Sequence, residues 1–335
     1  MKAFKDTKII VTGGNGFIGK HLVRSLLDSG ADVFVIDSCC TGWSNNNDYA
    51  RERNRTCVCL NADLTTTSIA HVIEHTHKFI PDYIFHLAAD VGGIEYLLGN
   101  EHKVFLNNAR INLNALNGLE NKKFSGLKGF LFMSSACIYP KQGGSNIKET
   151  DAIPANPHSS YGWSKFFGEQ LVTCSPIPAA IVRMSNVYGP GDHLGKNSHV
   201  IPALCQKIFQ ASPSFEVFGS GEQARAFVYV DDAIDAMKRA IITSSIDTPV
   251  YNVGGPDITI KNVVDLIYKA SKRKGLEVIW NTTKPEGEKH RELNCDKIKN
   301  DLNWVPQVGI KEGLKKTYKS VKDQIARIGM PGGKR

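Results

Sequence analysis

The sequence predicts an α/β protein built on a doubly wound parallel sheet, with a smaller mixed α/β lobe. Three observations predict it. Short apolar runs alternate with helical stretches over the first 185 residues, as they do where helices cover both faces of a parallel sheet. Gly13, Gly16 and Gly19 stand between the first apolar run and the first helical stretch. Asp37 closes the second apolar run, so an acid at the next strand end agrees with the glycines.

Lys8-Ile-Ile-Val11 is the first strand. Thr12 to Gly19 is a turn opening into a helix through Leu22, Val23, Leu26 and Leu27, which Gly30 ends. Val33–Ile36 is the second strand, and Asn45-Asn46-Asn47-Asp48 a polar loop. Cys57–Leu60, Tyr83–Leu87, Gly129–Met133 and Ala179–Val182 supply four more strands. After about residue 186 the pattern loosens into Pro- and Gly-bearing amphipathic pieces. Residues 186–226 with 257–335 therefore read as the smaller lobe, closing over the strand ends. Phe227–Val230 and Tyr251–Gly254 read as returns to the first unit, which is 1–185 with 227–256.

The 335 residues, 41% of them hydrophobic, suffice for a substantial core. A net charge of +8 suits an anionic small-molecule substrate. It would also suit nucleic acid, but basic residues are dense only over Lys311–Lys322 and Lys334-Arg335, where a solvated helix face explains them better. No nucleic-acid partner is expected. The eight cysteines form no CxxC pair and no zinc-finger spacing, so no metal is expected. Free thiols in a reducing, cytoplasmic compartment are the simple reading. The first apolar run leads straight into the glycine turn, so it is a strand, not a signal peptide or membrane anchor.

The glycine spacing is that of a dinucleotide site. Gly13 permits the tight turn, Gly16 lets backbone approach a pyrophosphate, and Gly19 lets helix and strand pack closely. The helix N-terminus then faces the negative charge. Asp37, 18 residues past Gly19, can accept hydrogen bonds from ribose hydroxyls and would repel a 2′-phosphate. NAD is thus favoured. Arg51, Arg53 and Arg55 leave room for NADP.

Two further clusters suggest chemistry. Tyr161 and Lys165 are four apart, on one helical face. An ammonium beside a phenol favours the phenolate, so the pair can take a hydroxyl proton while NAD takes the hydride. Cys137 follows the Gly129–Met133 strand in Ser134-Ser135-Ala136-Cys137-Ile138-Tyr139-Pro140, and His199 closes Asn197-Ser198-His199. Cysteine and histidine titrate near neutrality, as groups that move carbon-bound protons must. Singly, a buried cysteine is more often a small hydrophobe and a loop histidine a backbone partner.

Thr12 to Gly19, His86-Leu87-Ala88-Ala89, Ser135 and Tyr161-x-x-x-Lys165 resemble the extended short-chain dehydrogenase/reductase family, whose Rossmann fold the chain is therefore expected to share. The resemblance runs over nearly the whole chain. Ala88 to Ile94, Ser134 to Pro140 and Lys284-Pro285-Glu286-Gly287 are similar to the GDP-mannose 3,5-epimerase family, and Asn197 to Leu204 to the GDP-L-fucose synthase family. Both families epimerise C3 and C5 of a 4-ketohexose, with a cysteine as one acid/base group. Its partner is a lysine in the first family and a histidine in the second, and here His199 stands at that place.

The resemblance implies catalytic Ser135, Cys137, Tyr161, Lys165 and His199. It implies cofactor contacts from Gly13, Gly16, Phe17, Ile18, Asp37, Asp63, Leu64, Leu87, Ala88 and Ala89, with Tyr161 and Lys165. Substrate contacts would come from Gly92, Gly93, Asn186, Lys207, Arg225 and Arg291. The implied activity is an NAD-dependent GDP-sugar 3,5-epimerase working as a homodimer. An NADPH-consuming epimerase-reductase of the fucose synthase type stays open, as does a nucleotide-sugar 4-epimerase.

Overall fold

Side chains of a strand covered on both faces alternate between two cores, and they do so here. Ile9, Val11, Phe85, Leu131, Ala180 and Val182 enter one cluster, whereas Ile10, Ile84, Phe130, Phe132 and Ile181 enter another. This double burial explains why the strands are unbroken apolar runs. The computed structural model describes residues 2–40, 46–76, 80–140, 144–195, 197–284 and 291–328.

Seven parallel strands form the main sheet, in the order Val250–Val253, Ala179–Met184, Gly129–Ser135, Tyr83–His86, Lys8–Thr12, Asp32–Asp37, Cys57–Asn61. The order reverses between Lys8–Thr12 and Tyr83–His86, which opens a crevice at the carboxyl ends of those strands. Helices Phe17–Asp28 and Val230–Ile242 share the first core with it. Ile69–Thr76, Glu101–Leu116 and Ser160–Thr173 share the second. The outer edge of Val250–Val253 is closed by side chains. Asn252 N donates to Glu149 Oε1 at 2.8 Å, and Lys297 Nζ donates to Val250 O at 2.6 Å. A capped edge cannot recruit another strand.

The later strands divide between sheets, and one local expectation differs from what is seen. Phe227–Tyr229 belongs to strand Ala224–Tyr229, which pairs with Asn186–Tyr188 and Asp257–Thr259 in a separate three-stranded sheet. The place beside Ala179–Met184 is filled by Val250–Val253, and the returning chain reaches the large sheet through helix Val230–Ile242, the Ser245–Ala179 bridge and that strand. The polar run at Asn45–Asp48 is not a loop throughout: Asn47 and Asp48 begin helix Asn47–Arg51, and Asn45 lies outside the described residues. The anchor is Tyr49, whose ring lies under Arg24 and Arg53 and whose hydroxyl donates to Asp28.

Two parallel strand pairs complete the smaller part, Ser214–Phe218 with Glu277–Asn281 and Gly144–Ile147 with Arg291–Leu293. The first core continues into it through Ile201, Leu204, Phe215, Val263, Ile267 and Leu314. Helix Ile310–Ile328 buries Leu314, Thr317, Tyr318 and Val321 and exposes Lys311, Lys315, Lys316, Lys319 and Lys322. The basic stretch is thus a solvated helix face; Lys334 and Arg335 lie outside the described residues. Among the described residues no helix is long and apolar enough to cross a membrane, and no cluster of His, Cys, Asp and Glu could hold a metal.

Candidate active site

The crevice is built first from glycine. Gly13 adopts φ +69°, and a Cβ there would meet Ala88 N at 2.9 Å. A Cβ on Gly19 would lie 2.1 Å from Gly13 O. Gly16 caps the N-terminus of helix Phe17–Asp28 with extended backbone. Phe17 is buried, Ile18 partly buried. Only a chain without side chains here can bring strand, turn and helix this close, and the turn fits a dinucleotide pyrophosphate at the helix start.

Asp37 is buried with both carboxylate oxygens engaged. Asn15 N donates to Oδ2 at 2.9 Å and Cys39 N to Oδ1 at 2.7 Å. A carboxylate has about four lone-pair sites, so each oxygen keeps one for a further donor. The three nearby arginines are occupied elsewhere. Arg51 pairs with Asp48 at 3.3 Å, Arg55 with Asp6 at 2.7 Å, and Arg53 with Asp28. Asp63 and Leu64 follow strand Cys57–Asn61. Asp63 Oδ1 accepts from Thr65 N, and Leu64 is buried with its carbonyl accepting from Asn114 Nδ2 at 2.8 Å.

Leu87, Ala88 and Ala89 sit across the crevice, at the end of Tyr83–His86. Thr12 Oγ1 accepts from Leu87 N and Ala88 N at 3.1 Å each and donates to His86 Nδ1 at 2.8 Å. His86 Nε2 then donates to Asn112 Oδ1 at 3.2 Å, and Asn112 Nδ2 donates to Ser164 O at 3.2 Å. Burial drives His86 down to about 3, with the Lys165 charge adding to it, so the ring is a neutral link between the crevice and helix Ser160–Thr173.

That helix carries Tyr161 and Lys165, both buried. Lys165 Nζ donates to Met133 O at 2.9 Å and lies 5.8 Å from the Tyr161 ring centre. Burial lowers Lys165 to about 8, against the opposing pull of Cys137 and Glu169. The sequence led us to expect a Tyr161 depressed by Lys165. Instead the phenol is pushed up, by burial first and by Cys137 second, while a hydrogen bond with Ser135 draws it back. In a dry pocket the cost of a bare phenolate exceeds the help of an ammonium that is itself bonded to a carbonyl.

Cys137 lies in the short turn Ala136–Ile138, with its own N donating to Ser135 Oγ at 3.1 Å. It lies close enough to act electrostatically on both Tyr161 and Lys165. The turn presses on the helix: a Cβ at Gly162 would fall 2.2 Å from Cys137 O. Ser135, Cys137, Tyr161 and Lys165 thus form one cluster at the end of strand Gly129–Ser135.

His199 stands just before helix Val200–Gln210 and reaches Asp192. Burial pulls its imidazole down, but the hydrogen bond and charge of Asp192 more than reverse this and raise it. Gly93 joins this loop to the crevice. Its N donates to Asn197 O at 3.1 Å, and a Cβ there would meet Ser198 O at 2.7 Å. Gly92 has a similar fit against the Tyr96 ring, at 2.9 Å.

The residues expected to anchor substrate divide. Asn186 and Arg225 stand on paired strands, with Asn186 Nδ2 donating to Ala226 O at 3.3 Å, and Arg291 starts a strand packed nearby. Lys207 stands apart. It donates to Glu216 O at 2.9 Å and lies 4.6 Å over the Phe218 ring. Lys196, Pro285, Glu286 and Gly287 lie outside the described residues. Sequence reasoning missed Asp192, Glu169 and Arg183, and it named His86 within a motif without giving it a role. Asp192 is seven residues from His199, and the intervening segment turns back through Gly195, at φ +102°, to bring them together.

The profile of the NAD dependent epimerase/dehydratase family matches residues 9–254. GDP-mannose 3,5-epimerase of Arabidopsis thaliana is 31% identical, over 96% of this chain and 84% of the relative. Putative GDP-L-fucose synthase 2 of the same plant is also 31% identical, over 94% of this chain and 91% of its own. The crystal structure of UDP-glucose 4-epimerase from Thermotoga maritima with UDP-glucose superposes with a TM-score of 0.81 at 26% identity, covering 95% of this chain and 99% of that one.

Proposed function

This chain belongs to the NAD dependent epimerase/dehydratase family, and from that premise we propose that it is a GDP-sugar epimerase, inverting C3 and C5 through a transient 4-keto intermediate. The observation that carries the reading is Cys137 beside Tyr161 and Lys165. A simple 4-epimerase needs the tyrosine and lysine but has no use for a thiol there.

When bound, NAD supplies the hydride acceptor at C4 and, while oxidised, a positive charge that favours the Tyr161 phenolate. Gly13, Gly16, Phe17, Ile18, Asp37, Asp63, Leu64, Leu87, Ala88 and Ala89 would hold it. Asp37 with its two anchoring N–H groups, and the pairing of Arg51, Arg53 and Arg55 with aspartates, support NAD over NADP. Tyr161 takes the C4 hydroxyl proton, with Ser135 orienting and Lys165 supporting it. The ketone acidifies the hydrogens on C3 and C5. Cys137 then serves one face of the sugar as acid/base, and His199 the other. Gly92, Gly93, Asn186, Lys207, Arg225 and Arg291 anchor the nucleotide sugar. In this reading residues 1–185 with 227–256 bind NAD, and 186–226 with 257–335 bind the nucleotide sugar.

His199 favours a second reading, an epimerase-reductase of the GDP-L-fucose synthase type that consumes NADPH. We place the enzyme in the cytoplasm, where its free thiols persist. We also propose a homodimer, formed by helices Glu101–Leu116 and Ser160–Thr173, which expose Phe105, Leu106, Leu113 and Trp163. The deciding experiment incubates purified protein with GDP-mannose in heavy water. Deuterium at C3 or C5 of product supports the reading. Inversion at C4 without deuterium points to simple 4-epimerisation, and net consumption of NADPH by a 4-keto sugar to the second reading.

A further inference from the structure

The turn that carries Cys137 is tied at both ends to one buried ion pair. Ser134, three residues before the cysteine, donates from its buried hydroxyl to Glu169 Oε1. Tyr139, two residues after it, is fully buried and accepts from Arg183 Nη1 at 3.0 Å. Arg183 and Glu169 face each other bidentately, Nε to Oε1 at 3.0 Å and Nη2 to Oε2 at 2.7 Å. Glu169 is on the same helix as Lys165, four residues on, so the pair also reaches the Tyr161–Lys165 helix.

The far side of the network is equally fixed. The Tyr139 hydroxyl donates to Asn252 Oδ1 at 2.6 Å, and burial keeps it protonated by raising it to about 12. Asn252 Nδ2 donates to Ile147 O at 2.9 Å and Asn294 O at 3.2 Å. Arg183 Nη1 also donates to Glu149 O at 2.6 Å. A buried ion pair is costly to desolvate, and apolar residues of similar size often serve stability as well or better. What an apolar pair could not do is hold two hydroxyls, one on each side of a reactive residue, in fixed directions.

We propose that the Glu169–Arg183 pair, acting through Ser134 and Tyr139, positions the Cys137 thiol relative to Tyr161 and Lys165. None of the four touches the reacting carbons; they are positioning residues. The proposal rests on the epimerase reading for its catalytic consequence, but the placement of the thiol can be measured without it.

The test is Tyr139→Phe, which keeps the ring and removes the one oxygen that joins Arg183 to the turn. Ser134→Ala, which cuts the opposite tie, is the second variant should the first fold poorly. Two readings are taken on each. The first is the alkylation rate of Cys137 by iodoacetamide, followed by peptide mapping against the other seven cysteines. The second, with GDP-mannose in heavy water, compares deuterium incorporation with single-turnover formation of reduced nicotinamide. We expect the Cys137 rate to change severalfold with the other thiols unmoved. Deuterium incorporation should fall by up to about 10²-fold, as displacement of a catalytic group by an ångström can cost, while nicotinamide reduction holds. An unchanged Cys137 rate, or both reaction steps falling together, overturns the proposal. If the unaltered protein incorporates no deuterium from GDP-mannose yet the variants change Cys137 alkylation selectively, the positioning role stands and the epimerase reading falls.

Discussion

His199 Nδ1 lies 3.2 and 3.1 Å from the two carboxylate oxygens of Asp192, whose side chain is wholly buried. A carboxylate held there fixes the tautomer: the proton sits on Nδ1, and Nε2 is left to exchange protons. It also stabilises the imidazolium.

The first prediction removes that charge and little else. Asp192→Asn preserves shape but deletes the influence that raises His199, leaving burial to lower it. A histidine acting as donor loses activity as pH rises through its pKa, so the basic limb of the epimer-formation profile should move to lower pH. At pH 7.5 the rate should fall by about 10–10²-fold, up to the lower end of the range for outright loss of a general acid, about 10²–10⁴-fold. A pH–rate profile on GDP-mannose checks this, and an unmoved basic limb would show that His199 is not the donor.

Replacing the imidazole outright should split the reaction. His199→Gln keeps much of the size and hydrogen bonding but cannot titrate. We expect deuterium to wash into unreacted substrate while the epimer fails to accumulate, with a loss of about 10²–10⁴-fold. Near-normal epimer formation would transfer the role to another group, Lys196 first.

Redox and proton transfer should separate between two residues. Tyr161→Phe should abolish C4 oxidation, so that neither ketone nor deuterated sugar forms. Cys137→Ser should keep C4 oxidation and lose most exchange, because a serine hydroxyl is far too weak an acid/base near neutrality. Mass spectrometry of the recovered sugar reads both. Normal exchange by Cys137→Ser would make the cysteine structural.

Cofactor choice should follow Asp37. The unaltered protein should bind NADH more tightly than NADPH, and Asp37→Ala should narrow the difference by relieving the repulsion of a 2′-phosphate. Fluorescence titration with both dinucleotides decides it. Tighter binding of NADPH by the unaltered protein would instead promote the reductase reading.

His86 makes a prediction about stability. Its folded value, about 3, lies below the ordinary histidine value of 6.5. The unfolded chain therefore binds the proton that the folded chain refuses. The His86 contribution is fully present above about pH 6.5 and is lost as pH falls, at about 1.4 kcal/mol per unit. Urea unfolding at pH 7 and pH 5 should differ by about 2 kcal/mol more in the unaltered protein than in His86→Gln. Equal differences would place the titrating group elsewhere.

Much of this was legible in the chain itself. Apolar runs marked six of the seven strands of the large sheet because a strand buried on both faces has few polar positions to blur it. The Gly13–Gly19 turn was legible because close backbone contact leaves only glycine as a choice, and the Gly19 clearance shows how little room there is. Tyr161 and Lys165 were legible because helical spacing is local. The polar run at Asn46–Asp48 misled because the anchor, Tyr49, works through partners 21 and 25 residues away, Asp28 and Arg24, and its stacking on Arg53.

The sequence by itself determined the alternating α/β order, the dinucleotide turn, the acid at Asp37 and the residue types available for proton transfer, since each depends on spacing within a few residues or on chemistry alone. Only the tertiary structure decided which distant groups meet. It set Asp192 behind His199, paired the three arginines away from Asp37, and tied both ends of the Cys137 turn to Glu169 and Arg183. It also reversed the expected direction for Tyr161, because the energy of a charge depends on its whole surroundings, and burial outweighs one neighbouring ammonium.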